Sequence, residues 1–469
     1  MNGQIIASDK REELKQSLLS NQPDPQRAAE LEELKKTTLP IMFAVGISNV
    51  LYTNLHSFYP LYMEQNFPQL KSTQFGIILA TFEVANLIMS LILGIYIGRL
   101  KRRNVIIYAY IVLFLGTLSF TTLNVLETSQ YLWFFYLSIL FRVIQGASSS
   151  AIQICAYSYA TNEMTDEKDK YIGYVEIALG LGDMLGPAVG GFVFQLQGFA
   201  GTFLLFSAMI SVGVISSIVT IPKRLNQKSQ PIRLTQVNDK DSNESSDSIG
   251  SSLSSEYKQL TYGEFFKHPQ SVVCLVSACF SVIFTLYIDC ILALHLHSAY
   301  GVQHNLLGIF FLLSSITYVI GAPLSSYLST KMNRRYVVFI AFLLMIVQNI
   351  LCGPSELFGL TDNLFVVVCG TSMLGFNLSM ALVPLLSELI ETLEELDIYE
   401  PSQICDMTAS MFNAMFNLGN LLAPLIAGFL YDYYGYKYTV DFIMVSTVVF
   451  CIVFYFVMIY KQDSKAKNL

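Results

Sequence analysis

Twelve apolar runs, each about twenty residues or longer, recur along the chain, and that is the length a helix needs to cross the hydrocarbon of a bilayer. In lipid every backbone N–H and C=O must be satisfied within the protein, so a chain made of such runs folds as packed α-helices. The runs lie near 38–62, 74–98, 104–126, 131–158, 171–195, 200–222, 271–296, 306–330, 335–355, 363–388, 405–430 and 437–461. Within 469 residues, 53% hydrophobic and only 13% charged exclude a string of soluble domains. The fold class expected is an all-α polytopic membrane protein, with the lipid bilayer as its first partner.

What lies between the runs is polar. Residues 1–37 form a charged tail with a helix start at Asp24-Pro25 and no apolar core of a cleavable signal. Residues 223–270 form a linker whose stretch from Asp239 to Ser248 cannot bury a core, so it is expected to be disordered and open to phosphorylation. Residues 462–469 close the chain as a second tail. Lysine and arginine number six in the amino tail, four in loop 2–3, two in loop 4–5, seven in the linker, three in loop 8–9 and three in the carboxyl tail. The positive-inside rule therefore places both termini and the linker in the cytosol.

Two marks repeat at nearly equal offsets along the chain. Arg102-Arg103 after span 2 is echoed by Arg334-Arg335 after span 8, and Pro187 in span 5 by Pro424 in span 11. Such offsets predict two six-helix bundles, 38–222 and 271–461, with a substrate site between them at midplane. In span 5, Gly182, Gly186 and Gly190 recur every four residues, with Pro187 and Gly191 among them. On a helix they form a bare stripe that admits a close neighbour, and Pro187 removes a backbone donor and is expected to bend the helix there. The stripe is either a moving seam or a plain packing face.

Charges inside the spans narrow the chemistry. Arg142 is the one cation within a span, whereas Glu83, Glu176, Asp183 and Asp289 all lie in spans. A charge near mid-membrane costs on the order of 3 kcal/mol, so Arg142 must face a partner or a watery cavity; a structural salt bridge would also answer that need. Glu176 and Asp183 are seven residues apart and return to nearly one helix face. Four acids against one arginine suit a cationic substrate, protons or both, and disfavour an anion. Glu388 and Asp406 sit nearer the cytosolic ends, where reaching water is easier. Five His and eight Cys show no metal spacing, so neither metal nor cofactor is expected, nor nucleic acid; the expected state is a monomer.

Gly182-x-x-x-Gly186-Pro187-x-x-Gly190-Gly191 resembles the helix 5 signature of proton-coupled antiporters in the major facilitator superfamily. Gly94-x-x-x-Gly98-Arg99-x-Lys101-Arg102-Arg103 resembles the superfamily's loop 2–3 motif, departing at Gly98, where an acid is usual, and at Lys101, where a glycine is. Arg142-Val-Ile-Gln145-Gly146-Ala-Ser148 resembles the helix 4 motif linked to proton coupling. Glu176, Asp289, and Pro384 with Glu388 fall where the vesicular amine transporter family carries the same groups, and the likeness spans all twelve runs, nearest the polyamine branch. Asn54, within Leu51 to His56, and Asn413 stand where other branches carry aspartates; Glu83 is an addition.

The resemblance implies two six-helix bundles that alternate access, exchanging protons for an organic cation such as a polyamine at an endomembrane; it implies no enzyme. Glu176, Asp289, Glu83, Asp183, Asn54 and Tyr287 would bind substrate. Arg142, Glu176, Asp289 and Glu388 would handle protons, and Gly182, Gly186, Pro187, Gly190, Gly191 and Pro424 would flex. Gly94, Arg99, Arg102 and Arg103 would form the loop motif. Tyr52, Phe58 and Tyr59 are candidates for an aromatic cage around the cation. His295 and His297 flank the outer mouth of span 7. Tyr257–Leu260 and Tyr262–Phe265 have the form of tyrosine-based sorting signals. The sequons at Asn243 and Asn377 are expected to stay unmodified. Two alternatives stay open: a proton-coupled exporter of drugs or other metabolites, and a transporter-shaped receptor or scaffold.

Overall fold

The computed structural model describes residues 25–70, 72–226, 258, 260–302, 304–353, 359 and 363–460. All twelve expected spans are helical within it, and among the described residues the one β-feature is an isolated bridge between Lys258 and Tyr399. Span 1 is broken into Pro25–Thr53 and Leu55–Asn66; spans 2, 3 and 4 are Ser72–Tyr96, Arg102–Phe120 and Tyr131–Asn162. Spans 7 to 10 are Pro269–Tyr300, His304–Lys331, Arg334–Cys352 and Leu364–Glu394.

Spans 5 and 6 form one helical stretch, Lys168–Thr220, and spans 11 and 12 another, Pro401–Phe454. At about 1.5 Å per residue either would be more than twice as long as the hydrocarbon is thick. Each is folded back at one glycine, Gly198 (φ 68°, ψ −168°) and Gly435 (φ 77°, ψ 178°), in a region closed to residues with a Cβ. Thr202 and Thr439 then bond back to the carbonyls of those glycines, restarting the helix. That spans 5 and 6 run antiparallel follows from Arg102 and Arg103. The first reaches Glu163 just before span 5, and the second bonds the Ile218 and Ile221 carbonyls where span 6 ends. The backbone stays helical through Pro187 and Pro424.

The glycine stripe has a definite neighbour, span 1. A Cβ on Gly182 would stand 2.7 Å from that of Asn49, and one on Gly190 3.0 Å from that of Asn54; Gly186 faces Thr53. Close approach also lets polar groups cross: Asn49 Nδ2 donates to the Leu179 carbonyl at 2.8 Å and Thr53 Oγ1 to that of Gly182 at 3.3 Å. Away from the basic loops, the first six spans close over a cluster that includes Phe58, Tyr59, Tyr62, Phe134, Phe199 and Phe203.

The first six spans meet the last six along two seams, span 2 with span 11 and span 5 with span 8. The contacts come in mirrored pairs. Arg102 binds Asp406, and Arg334 binds Asp169. Gly94 abuts Ser410, and Ser326 abuts Gly173. Asn86 accepts from Asn413, and Tyr318 donates to Glu176. In every pair the partner in span 2 or its loop reaches its mirror by the offset that separates Arg102 from Arg334, and the partner in span 5 by the offset that separates Pro187 from Pro424. The two glycine turns obey the second offset too. The repeat read from two arginine pairs and two prolines thus organises the whole contact surface.

These contacts gather toward the face that carries the basic loops. There Asp406 takes both its oxygens to Arg102 at 2.9–3.0 Å, with Ser158 at 2.5 Å and Asn162 at 3.1 Å completing its shell. Arg334 holds Asp169 with two nitrogens and also meets Glu391, which Lys168 reaches at 3.2 Å. Gly98 stands 3.7 Å from Asp406, measured from an added Cβ. The acid missing from the loop 2–3 motif is thus supplied by span 11.

Candidate functional site

Span 5 carries an acid every seven residues: Asp169, Glu176 and Asp183. Seven residues are nearly two turns, about 10 Å of rise, so the three stand one above another on the face toward span 8. Asp169 is closed off by Arg334. Glu176 is fully buried and accepts from two phenols, Tyr157 at 2.7 Å and Tyr318. Asp183 is exposed although it lies midway along its span.

Its side chain is turned into the protein, since Asp183 Oδ1 accepts from Asn49 Nδ2 of span 1 at 2.8 Å. Asp289 is likewise exposed while Tyr287, Ile288, Ile291 and Leu292 around it are buried. His56, at the break in span 1, is exposed as well. The structure therefore exposes two carboxylates midway along spans of opposite halves, above the ion pairs of the basic face.

Glu83 is closed off instead. It is 3% exposed and lies in the seam between spans 2 and 11, beside Tyr52 and Asn420. Arg142 has no acid as its direct partner among the described residues. Its guanidinium donates to the carbonyls of Leu51 (3.1 Å) and Tyr52 (3.2 Å) and to Gln145 Oε1 (3.2 Å), and lies over the Phe82 ring at 4.6 Å. A continuous helix would commit those two carbonyls to Leu55 and His56, so the arginine satisfies backbone freed by the break at Asn54. That meets the demand of a buried charge for partners without the salt bridge.

Three further expectations are corrected. Tyr287, two residues from Asp289, points about 200° away round the helix and bonds Asn349 Oδ1 at 3.0 Å within its own half. Asn54 is fully buried against Gly190 and away from the acids, its amide atoms without a hydrogen-bond partner among the described residues. Glu388 is held by Arg335 near the basic face, where Glu395 also approaches that arginine.

Phe58 and Tyr59 are core residues of the aromatic cluster rather than a cation cage, and Tyr52 stacks on Phe82. His295 is buried flat against Tyr436, ring centroids 3.7 Å apart; the side chains of His297 and Cys290 lie outside what is described. Asn377 is buried and bonds Gln348, and Asn243 lies outside the described residues.

Of the tyrosine motifs, Tyr257 lies outside the described residues. The apolar ends of both, Leu260 and Phe265, are buried, so neither is presented for recognition here. The segment docks on loop 10–11: the Lys258 N–H donates to the Ile398 carbonyl, the Leu260 N–H to Gln403 Oε1, and Tyr262 reaches the Leu91 carbonyl of span 2. Glu264 gathers Lys258, Lys267 and the Tyr399 hydroxyl.

Sequence reasoning missed Asn49, Tyr157 and Tyr318. Asn49 carried a signal, since it lies opposite the glycine stripe once span 1 is known to be its neighbour. The tyrosines carried none, being two among 27.

Comparison with known proteins accords with this geometry. A family model described as Major Facilitator Superfamily matches residues 41–396 and 291–469. The MFS-type transporter SLC18B1 of Homo sapiens is 22% identical over 398 residues, covering 83% of this chain and 79% of its own. The synaptic vesicular amine transporter of Homo sapiens is 20% identical over 386 residues, covering 81% and 66%. Multidrug resistance protein 2 of Bacillus subtilis is 28% identical over 161 residues, covering 33% and 38%. With a family match along most of its length and transporters for relatives, this multi-pass membrane chain is a transporter rather than an enzyme, and it belongs to the major facilitator superfamily.

Proposed function

We propose that the protein exchanges protons for an organic cation, a polyamine or similar amine, across an endomembrane, and that the basic face lies in the cytosol. One observation supports the reading: Asp183 and Asp289 are both exposed midway along spans of opposite halves, while the one cation within a span, Arg142, is committed to span 1 carbonyls. An uncompensated carboxylate pair attracts a substrate with more than one ammonium group, and loads protons when it is empty. The sealed basic face and exposed acids describe the state open to the lumen, in which an acidic compartment would protonate the site and release the amine. Rocking at the two seams would then expose the same acids to the cytosol. The vesicular relatives support the endomembrane and the amine class.

The test is uptake of radiolabelled spermidine into liposomes holding the purified protein, with an inside-acidic gradient imposed and then collapsed. Gradient-dependent uptake that falls tenfold or more in Asp289→Asn and Asp183→Asn is the expected result, since a charge-assisted hydrogen bond contributes about 1.5–3 kcal/mol. Undiminished uptake in both variants removes the site assignment. The likeness to a bacterial multidrug resistance protein favours one rival, an exporter of drug-like compounds. Flux that tracks hydrophobicity and ignores amine charge would establish it.

A further inference from the structure

We propose that Tyr157 and Tyr318 are positioning residues that hold Glu176 as a thin gate beneath Asp183, and that an ammonium group or a proton reaching Glu176 frees Tyr318 and lets the basic face open. The identity of the ammonium ligand rests on the reading above; the gate does not.

Glu176 is the middle rung between the exposed Asp183 and Asp169 at the basic face. Its two oxygens are taken by phenols from opposite halves, Tyr157 of span 4 and Tyr318 of span 8. Both tyrosines are buried, and the edge of Phe412 from span 11 backs the first. The other acids of its own helix, Asp169 and Asp183, stand seven residues to either side. A buried carboxylate holds neutral donors most strongly while it is charged and unclaimed; a proton or an ammonium group weakens the cross-seam bond. The fit is specific, because Tyr318 lies against Gly180, where a Cβ would stand 2.6 Å from its ring.

The mirrored seam supplies an internal comparison. Asn86 and Asn413 occupy the positions of Tyr318 and Glu176 in the repeat, bonded to each other at 3.2 Å, and Asn413 also donates to Ser90 at 2.8 Å. No proton or cation changes a pair of neutral amides in this way. At this rung the titratable contact belongs to one seam and the passive contact to the other.

Spin labels at Asp166→Cys and Met332→Cys, exposed on either side of the span 5–8 seam at the basic face, report its opening in full-length protein in nanodiscs by pulsed dipolar spectroscopy. Tyr318→Phe is expected to raise the ratio of open to closed separations about tenfold without any ligand. In the unsubstituted gate, acid or spermidine shifts the distribution toward open, whereas Glu176→Gln responds to neither. Asn413→Ala keeps both responses. Tyr157→Phe, which leaves the cross-seam bond in place, opens with less acid. A Tyr318→Phe protein that binds spermidine yet keeps the original distribution overturns the gate, as does an acid response that survives in Glu176→Gln. If acid opens the protein and spermidine does not, the gate stands and the cation reading falls.

Discussion

Asp406→Asn tests whether the basic-face ion pairs hold one conformation or merely the fold. Asp406 is 1% exposed and spends both oxygens on Arg102, which is 6% exposed. Breaking a buried pair by removing one partner costs about 3–5 kcal/mol. Here the cost is smaller, because Arg102 keeps Glu163 at 3.4 Å and Ser402 at 3.3 Å, and the asparagine still accepts one bond. About 2 kcal/mol remains, charged only to the closed state, so the ratio of open to closed rises roughly thirtyfold. Cys405 is a native reporter: it is 5% exposed, with its sulfur 3.9 Å from the Thr161 carbonyl across the seam. Its alkylation by a membrane-impermeant maleimide from the basic side should accelerate by about that factor. The mirror variant Asp169→Asn should act in the same direction, and the two factors should multiply until the open state dominates. Unchanged alkylation in a protein with a lowered melting temperature would refute the reasoning, because the pair would then be stabilising both states alike.

Gly186→Val should abolish uptake and lower the melting temperature, since its side chain enters the space of Thr53 and overpacking costs about 1–3 kcal/mol; Gly191→Ala, 3.4 Å from Ser57, should be tolerated in the same assays. Arg142→Leu strips the donor from the Leu51 and Tyr52 carbonyls and should destabilise the protein by about 2 kcal/mol or more in detergent unfolding, with faster hydrogen exchange around the break in span 1. The docked linker segment should release in acid. Lys258, then Lys267, hold the Glu264 carboxyl down to about 2 from its ordinary 4.5. A depressed acid contributes in full above its ordinary value and loses that contribution as pH falls toward the depressed one. Protease cleavage near Lys258 should therefore be constant from pH 7 to about 5 and rise below about 4.5 in a pulse assay; a rise between pH 7 and 6 would contradict the assignment.

How far the sequence could be read divides along physical lines. The spans were legible because lipid requires a fixed run of apolar residues and leaves no other regular solution. The repeat was legible because arginines and prolines are rare enough in such a chain for equal offsets to stand out. The glycine stripe announced close approach but not its partner, since spacing records how near a neighbour comes and not which neighbour it is. Tyr287 was misassigned because two residues along a chain are neighbours, whereas on a helix they face nearly opposite ways. Glu83 and Asp183 look alike in sequence; packing buries one in a seam and leaves the other exposed. Missing the Asp406 partner of Arg102 has the same origin, for it stands 304 residues away.

The two halves differ most where their repeat is most faithful. Span 5 carries Asp169, Glu176 and Asp183; the mirrored positions of span 11 are Asp406, Asn413 and Asn420, each set off as Pro424 is from Pro187. The rung at the basic face keeps its acid in both halves and meets an arginine in both, so that face closes with near-symmetric clasps. Higher up, the acids survive in one half only. A rocking motion between related halves needs matched contacts at the face that closes, or one clasp would hold after the other had let go. Coupling needs the opposite: a ligand can bias the motion only through groups whose bonding it changes, and differential interaction with the two states is the sole source of such bias. Neutral amides on both seams would leave a hinge that moves without regard to cargo. Acids on both would double the charge that must be neutralised before either seam could part. At the Glu176 and Asn413 rung, one charged contact beside one neutral contact is the least arrangement that both moves as a body and answers to what is bound.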